Sequence, residues 1–272
     1  MLASFLVYLR PVNLAHLGQN LGRSLHGLFF ELVRQARPDL AGQLHQGHGL
    51  RPFTVSPLQG KWTWQGDQRL AVPEEIYRVR YTVLTEEVFA ALSNILLGKY
   101  LYQEPVDIDG QPFEIIKIAV ESEQSQGWAK LSSYQQLHDE ASTERRIRLH
   151  FASPTTFRTG DVNLLFPLTG SVFGSYIRKW DSFSPLPLSV DLPAFIAEYV
   201  VEERYRLETK VVSYSRRAQF NGCVGACQYR ILRGDRDKIR ELNMLADFAL
   251  FAGTGQKATQ GMGQTRRVRP WT

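Results

Sequence analysis

The alternation of apolar and polar positions divides the chain into a strand–helix series that runs twice. Residues 3–10 (ASFLVYLR) read as an opening strand, closed by Pro11. A glycine-dotted loop follows over residues 13–23. Ser24 is then placed to cap a helix running to about Ala36, in which Leu25, Leu28, Phe29, Leu32 and Val33 make one buried stripe. His26 and Phe30 fall beside that stripe, one turn apart. Pro38 and Asp39 open a second, short helix that ends at His45, before Gly47 and Gly49, with His48 in the loop. Residues 51–58 are extended and lead into a hairpin arm, 61–64, that turns at Gly66 and Asp67. Over residues 75–83, Ile76, Arg78, Arg80 and Thr82 oppose Tyr77, Val79, Tyr81 and Val83, which predicts a strand with one buried face. Thr85 caps a helix that ends at Gly98, and residues 112–120 supply a further strand. The sum is a ferredoxin-like βαββαβ unit.

A polar stretch over residues 121–133, rich in Ser, Gln and Glu, reads as a linker, and a second round follows. Residues 145–152 alternate Arg or His with apolar residues, as a strand does. Residues 154–166 read as a loop and hairpin arm. A helix follows over 171–181, with Val172, Tyr176 and Lys179 on one side, and then a short helical turn over 192–201. Residues 201–215 and 218–232 form a long β-hairpin with basic residues on its exposed side. A helix over 237–250 places Ile239, Leu242, Ala246 and Ala249 on one face, and a short basic strand over 264–269 closes the unit. The predicted fold class is α+β: two tandem ferredoxin-like (RRM-like, βαββαβ) domains, 1–125 and 140–272, the second with a C-terminal glycine-rich loop. No repeat with a period of 20 to 50 residues is visible.

Composition narrows the function classes. Hydrophobic residues make up 43% and charged residues 22%, which describes a globular chain rather than a disordered one. The formal net charge of +5 points to a polyanionic partner. The two cysteines, Cys223 and Cys227, are too few for a disulfide framework and read as small core residues. No run of 18 apolar residues could span a membrane, and residues 3–8 are too short and too poor in flanking bases for a signal segment. A cytoplasmic protein without membrane attachment is expected.

The segment that carries most chemistry is Gly253-Thr254-Gly255-Gln256-Lys257-Ala258-Thr259-Gln260-Gly261-Met262-Gly263. Two G-x-G pairs flank a lysine, and exposed main-chain N–H groups beside a cation can cradle phosphate. The predicted order here is helix, loop, strand. A nucleotide-binding P-loop or dinucleotide fingerprint runs strand, loop, helix. Ala258 follows Lys257 where a P-loop has Ser or Thr, and it also occupies the third-glycine position of G-x-G-x-x-G. An NTPase is therefore not expected. Two G-x-G pairs near the C-terminus, five residues apart with a base between them, resemble the signature of the CRISPR repeat-processing endoribonucleases. These form the sixth named family of CRISPR-associated (Cas) proteins, within the RAMP superfamily. Met262 fits the hydrophobic slot of the second pair, whereas Thr254 departs from it in the first.

The resemblance extends to the first 60 residues. Leu25-His26-Gly27-Leu28-Phe29-Phe30 matches the family's helix–loop segment, with Phe30 where the family has tyrosine. Residues 38–45 match its histidine segment, and Arg51, just before Phe53-Thr54-Val55-Ser56, falls where lysine is common. In the middle of the chain, Asn163-Leu164-Leu165-Phe166-Pro167 sits in a similar setting. The activity this implies is metal-independent cleavage of CRISPR precursor RNA within its repeats. The ribose 2′-OH is the nucleophile, and the ends left are a 5′-hydroxyl and a 2′,3′-cyclic phosphate. Such cleavage needs a base, an acid and a cation over the phosphorane. Histidine suits the first two near neutral pH. His45 lies close to a base, Arg51, across a glycine-containing loop, and is the expected catalytic histidine. Phe30 has no hydroxyl to give, so His26 becomes the partner of His45, and Arg51 the cation.

Phosphate contacts are expected from Gly253, Gly255, Lys257, Gly261, Gly263, Arg266 and Arg267, with Arg145, Arg146, Arg148, Arg216 and Arg217 as further candidates. The spacing of His, Cys and carboxylates fits no zinc site, so neither metal nor cofactor is expected. The implied partner is CRISPR repeat RNA, precursor and mature. Other Cas subunits of a type I or type III complex and a second copy of the chain are further partners that the resemblance admits. The rival reading is a non-catalytic scaffold that binds repeat RNA within an interference complex.

Overall fold

The computed structural model describes residues 1–18, 21–46, 49–66, 68–215 and 218–271. Expectations for Gly47, His48, Asp67, Arg216 and Arg217 lie outside the described residues. Two compact units emerge. The first holds Met1–Leu131 together with Ser213–Gln219 and Thr259–Gly261; the second holds Ser132–Val212, Phe220–Ala258 and Met262–Thr272. The tip of a hairpin and three residues of the glycine-rich loop thus group with the first unit, which no linear boundary could capture.

In the first unit the elements are β1 (Leu2–Pro11), β2 (Ala15–Leu17), α1 (Leu21–Ala36), α2 (Pro38–Gln46), β3 (Phe53–Val55), β4 (Thr63–Gln65), β5 (Gln68–Ala71), β6 (Tyr77–Val83), α3 (Glu86–Leu101), β7 (Val106–Ile108), β8 (Gln111–Ala119) and β9 (Lys130–Ser132). The main sheet runs β3-β6-β1-β8-β7, with β9 also paired to β1. Its central four strands have the antiparallel order of a ferredoxin-like sheet. The stripe expected on α1 is buried at every position (Leu25, Leu28, Phe29, Leu32 and Val33), and it packs with Val88, Leu92 and Leu96 of α3 in one core with β1 and β6. Aromatic rings anchor that core: Phe29 stacks on Phe53 at 3.7 Å and lies 6.1 Å from Tyr81.

Three expectations for this unit are corrected. The first concerns α1, which starts at Leu21 rather than after Ser24; the Ser24 hydroxyl bonds Asp109 instead of capping the helix. Next, β6 is buried on both faces, not one. On the second face Arg80 donates to Ser4 Oγ at 3.1 Å and lies 4.9 Å from the Trp128 ring, while Thr82 and Thr54 share a 2.7 Å hydrogen bond. The stretch read as a linker covers that face: Trp128 accepts a bond from Ser4, and β9 joins the sheet. Finally, α3 runs through Gly98 to Leu101, because one glycine lowers helix stability without ending the helix.

The second unit comprises α4 (Tyr134–Asp139), β10 (Arg146–Thr155), β11 (Phe157–Thr159), β12 (Val162–Leu164), α5 (Thr169–Phe183), α6 (Leu192–Tyr199), β13 (Val200–Ser215), β14 (Ala218–Ile231), α7 (Arg236–Ala252) and β15 (Thr265–Val268). Its sheet order, β13-β14-β10-β15, repeats the ferredoxin-like arrangement. Helix α4 had no counterpart in the sequence pattern; the Ser133 side chain caps it by accepting from Gln136 N. Helix α7 is capped by Asp235 in the same way and is buried nearly all round from Leu242 to Ala252. Trp180 of α5 meets Phe248 of α7 edge-on at 5.2 Å. Both cysteines lie buried and free in β14, where burial pushes the Cys227 thiol up to about 12. Among the described residues no helix is long and apolar enough to cross a membrane.

A Cβ added at Gly98 meets nothing within 4 Å. Gly98→Ala therefore stabilises α3 by about 0.5–1 kcal/mol, read as a higher urea midpoint at unchanged slope. A lower midpoint would restore Gly98 as a position where the helix must break.

Candidate active site

Helices α1 and α2 bring two histidines to one aromatic side chain. His26 is half-buried on α1, and His45 is exposed in the last turn of α2. The half-buried Phe30 lies next to both. Its ring centre is 5.0 Å from that of His26 and 5.8 Å from that of His45, tilted edge-on to each. His26 also lies over Phe53 of β3, 5.9 Å between centres and 26° between planes. Because Phe53 is itself stacked on Phe29 of the core, the plane of the His26 ring is set by residues that cannot shift cheaply. Arg51, in the extended stretch before β3, donates from its guanidinium to the His45 carbonyl at 3.3 Å. So His26, His45 and Arg51, the three residues singled out in the sequence, lie in one neighbourhood of the first unit.

The fourth contributor escaped the sequence. His26 Nδ1 lies 3.0 Å from the main-chain carbonyl of Thr259, 233 positions away. A carbonyl only accepts, so Nδ1 carries the proton and the lone pair of the neutral ring resides on Nε2. Burial lowers the His26 pKa below its ordinary value of 6.5. The Thr259 carbonyl opposes this, and the charges of Arg51, His45 and Arg23 add to the lowering. His26 is thus held neutral, in one tautomer, with an unprotonated nitrogen to spare.

What puts Thr259 there is close approach. A Cβ on Gly22, at the start of α1, would run into the carbonyl of Gln260. The Gly261 N–H donates to Val55 O of β3 at 3.0 Å, and Gly261 lies against Pro57. Five further N–H groups of the loop are turned inward. Gly253 donates to Ala249 O, Thr254 to Gly263 O, Gln256 to Thr156 O, Met262 to Lys257 O and Gly263 to Pro154 O. Gly263 has a φ of 68°, and a Cβ there would strike the Thr254 carbonyl. These amides serve packing instead of forming an open cradle. Thr254, polar where the signature is apolar, is fully buried with its hydroxyl satisfied. Tyr176 OH lies at 2.6 Å, and Thr254 passes a 2.8 Å bond on to Thr265 Oγ1.

The basic residues divide by environment. Lys257, at a positive φ of 56°, sets its ammonium 4.5 Å from the Phe220 ring, where burial lowers its pKa. Arg266 is half-buried on β15 opposite His150. Arg267 is held by Glu144 at 2.7 Å and Asp247 at 3.1 Å. Arg146 pairs with Glu203 at 3.0 Å, Arg148 lies 3.7 Å from the Trp271 ring, and Arg145 donates to Leu232 O. Among the described residues no group of three His, Cys, Asp or Glu side chains is arranged to hold a metal ion.

The model of the CRISPR Cas6 N-terminal domain matches residues 1–139, and that of the CRISPR-associated endoribonuclease Cas6 matches residues 149–265. Two Cas6 product complexes superpose with TM-scores of 0.84 and 0.79, at 24% and 25% identity; each covers 98% of this chain, which covers 100% and 99% of theirs. A Thermus thermophilus Cas6 gives a TM-score of 0.74 at 23% identity, with 98% of both chains covered. No curated protein matches in sequence.

The His26 environment yields a titration test. By NMR, its ring protons titrate with a midpoint below 6.5, and Arg51→Met moves that midpoint upward by removing a repelling charge. The sign for stability follows. The unfolded chain binds the His26 proton more readily, so this residue's contribution is intact above pH 6.5 and is lost as pH falls from 6.5 through the folded midpoint. A midpoint at or above 6.5 would contradict the buried, carbonyl-bound ring.

Proposed function

The chain belongs to the Cas6 family of CRISPR-associated endoribonucleases, and from that premise we propose that it cuts CRISPR precursor RNA within each repeat by 2′-OH attack, without a metal ion. Roles follow from the environments of the residues. His26 Nε2 takes the proton of the 2′-hydroxyl. The freed oxygen attacks the adjacent phosphorus, and the bond to the 5′-oxygen of the next nucleotide breaks. His45, exposed on α2, delivers a proton to that leaving oxygen. The Arg51 guanidinium offsets the charge that builds on the non-bridging oxygens. One strand then carries a 2′,3′-cyclic phosphate and the other a 5′-hydroxyl. What carries the reading is the His26–Thr259 hydrogen bond, which leaves a neutral imidazole with its lone pair on Nε2 beside a second histidine and an arginine.

Phenylalanine at position 30 and arginine at 51 fit this assignment. Phe30 has no proton to give, and two histidines supply the base and acid between them. Arginine is always charged and can bridge two phosphate oxygens. Lys257 and Arg266 are assigned to the RNA backbone. We assign Arg267, already bound to two carboxylates, to holding β15 in place. Retention of the product RNA, within a larger Cas complex or by a dimer of this chain, belongs to the same proposal.

The test is cleavage of end-labelled repeat RNA with EDTA present. Wild type cuts at one position per repeat. A 2′-deoxy substitution at the scissile nucleotide leaves binding intact and abolishes cutting. His45→Ala and His26→Ala each bind within a few-fold of wild type and lose about 10²- to 10⁴-fold in single-turnover rate. Arg51→Ala loses about 10²- to 10³-fold. Tight binding with the RNA left whole would make the chain a scaffold instead, and loss of cutting in EDTA would overturn the metal-free chemistry.

A further inference from the structure

Beside the two histidines, α1 and α2 leave a cavity open to solvent, lined by Gly27, Phe30, Glu31, Pro38, Gly42 and His45 among others. Its lining is mostly apolar, yet its mouth carries the Glu31–Arg34 ion pair, at 2.7 Å. Three features of this cavity point to a ligand.

The first is a pair of glycines. Gly27 lies inside α1 and Gly42 inside α2, where glycine weakens a helix relative to alanine. Some glycines in this chain admit a neighbouring backbone, as Gly22 does for Gln260, while others, Gly98 in α3 and Gly170 in α5 among them, leave open space. A Cβ at Gly27 or at Gly42 would meet nothing within 4 Å. Both face the same cavity, and the effect of both is to keep it wide. The second feature is Phe30. Every ring contact it makes among the described residues is edge-on, at 67° to 85° with His26, Phe29, His45 and Phe53. Phe29 and Phe53, by contrast, are stacked on each other at 11°. A half-buried aromatic ring with no parallel partner, at the wall of an open cavity, suits a planar ligand. The third is continuity: His45, assigned to the reaction, is part of the cavity wall, and Phe30 of the same wall lies beside both histidines.

We propose that this cavity is a nucleobase pocket, which holds one of the two bases flanking the scissile phosphate. The base lies against the Phe30 ring, in the space left by Gly27 and Gly42, with its polar edge toward the Glu31–Arg34 pair. Holding a flanking base swings its ribose and phosphate toward His45 and His26, so Phe30, Gly27 and Gly42 act as positioning residues. This rests on the reading of the chain as an RNA-cutting enzyme and adds a local site where sequence is read. Phenylalanine, useless as an acid, acquires a function that tolerates any base, because stacking needs only a π-face. Selectivity falls to Glu31 and Arg34.

The test pairs a filled pocket with an emptied substrate. Gly42→Leu places a side chain in the cavity, its Cβ meets nothing within 4 Å and helix propensity improves, so its melting temperature is at or above that of wild type. Repeat RNAs carry an abasic residue at either nucleotide flanking the cut. Single-turnover cleavage is measured for the four combinations, and affinity for the 2′-deoxy form of each RNA is measured in parallel. With wild-type protein, the abasic residue at one of the two positions reduces cleavage on the order of tenfold or more, from lost stacking. Gly42→Leu reduces cleavage of normal RNA to a similar extent. The two changes together cost no more than either alone, because both remove the base from the same site. Multiplicative losses, or no loss in Gly42→Leu, would overturn the proposal. If wild type binds without cutting, the enzyme reading fails, and the affinities still decide whether the pocket holds a base, by the same non-additivity.

Discussion

One hydrogen bond, from the His26 ring to the Thr259 carbonyl, joins the two parts of the sequence that carry most of the chemistry. Without an acceptor at Nδ1, a half-buried imidazole next to an arginine and a second histidine would have no fixed tautomer. With it, Nε2 is left basic and the ring is fixed against Phe53. The constraint passes on to the glycine-rich loop. Thr259 can sit there only because Gly22 lets the loop backbone approach the start of α1 and because Gly261 bonds β3. The conspicuous loop thus serves the site through its shape, and six of its amides are spent on packing.

That distribution explains what the sequence could and could not reveal. Both ferredoxin-like sheets were legible, since their long strands and helices show their periods, whereas short elements such as β9 and α4 do not. The α1 stripe from Leu25 to Val33 is the clearest case. Boundaries failed where tertiary contacts override local signals: Ser24, a good cap, is drawn to Asp109, and Gly98 lies within a helix that its neighbours hold. The stretch read as a linker does contain the boundary between the units, at Leu131 and Ser132, yet it also packs on the sheet, where Trp128 lies over Arg80, a contact that neither segment announces.

The candidate site was legible in its side chains and hidden in its backbone. Histidines and bases can be listed from a sequence, and His26, His45 and Arg51 do lie near one another. A main-chain carbonyl has no residue type to betray it, so Thr259 could not be found. Its only trace was the demand for glycine at 22 and 261. The same reasoning applies to Thr254. Its departure from an apolar slot is neutralised by Tyr176 and Thr265, whose hydroxyls meet it only in the folded unit.

The central claim is the division of labour between the two histidines, with His26 as base and His45 as acid. A repeat RNA whose leaving 5′-oxygen is replaced by sulfur tests it most directly, because a thiolate departs without a proton. The account predicts that His45→Ala cuts this RNA at nearly the wild-type rate, while His26→Ala remains as impaired as on the natural RNA. Rescue of His26→Ala instead, or of neither variant, would contradict it.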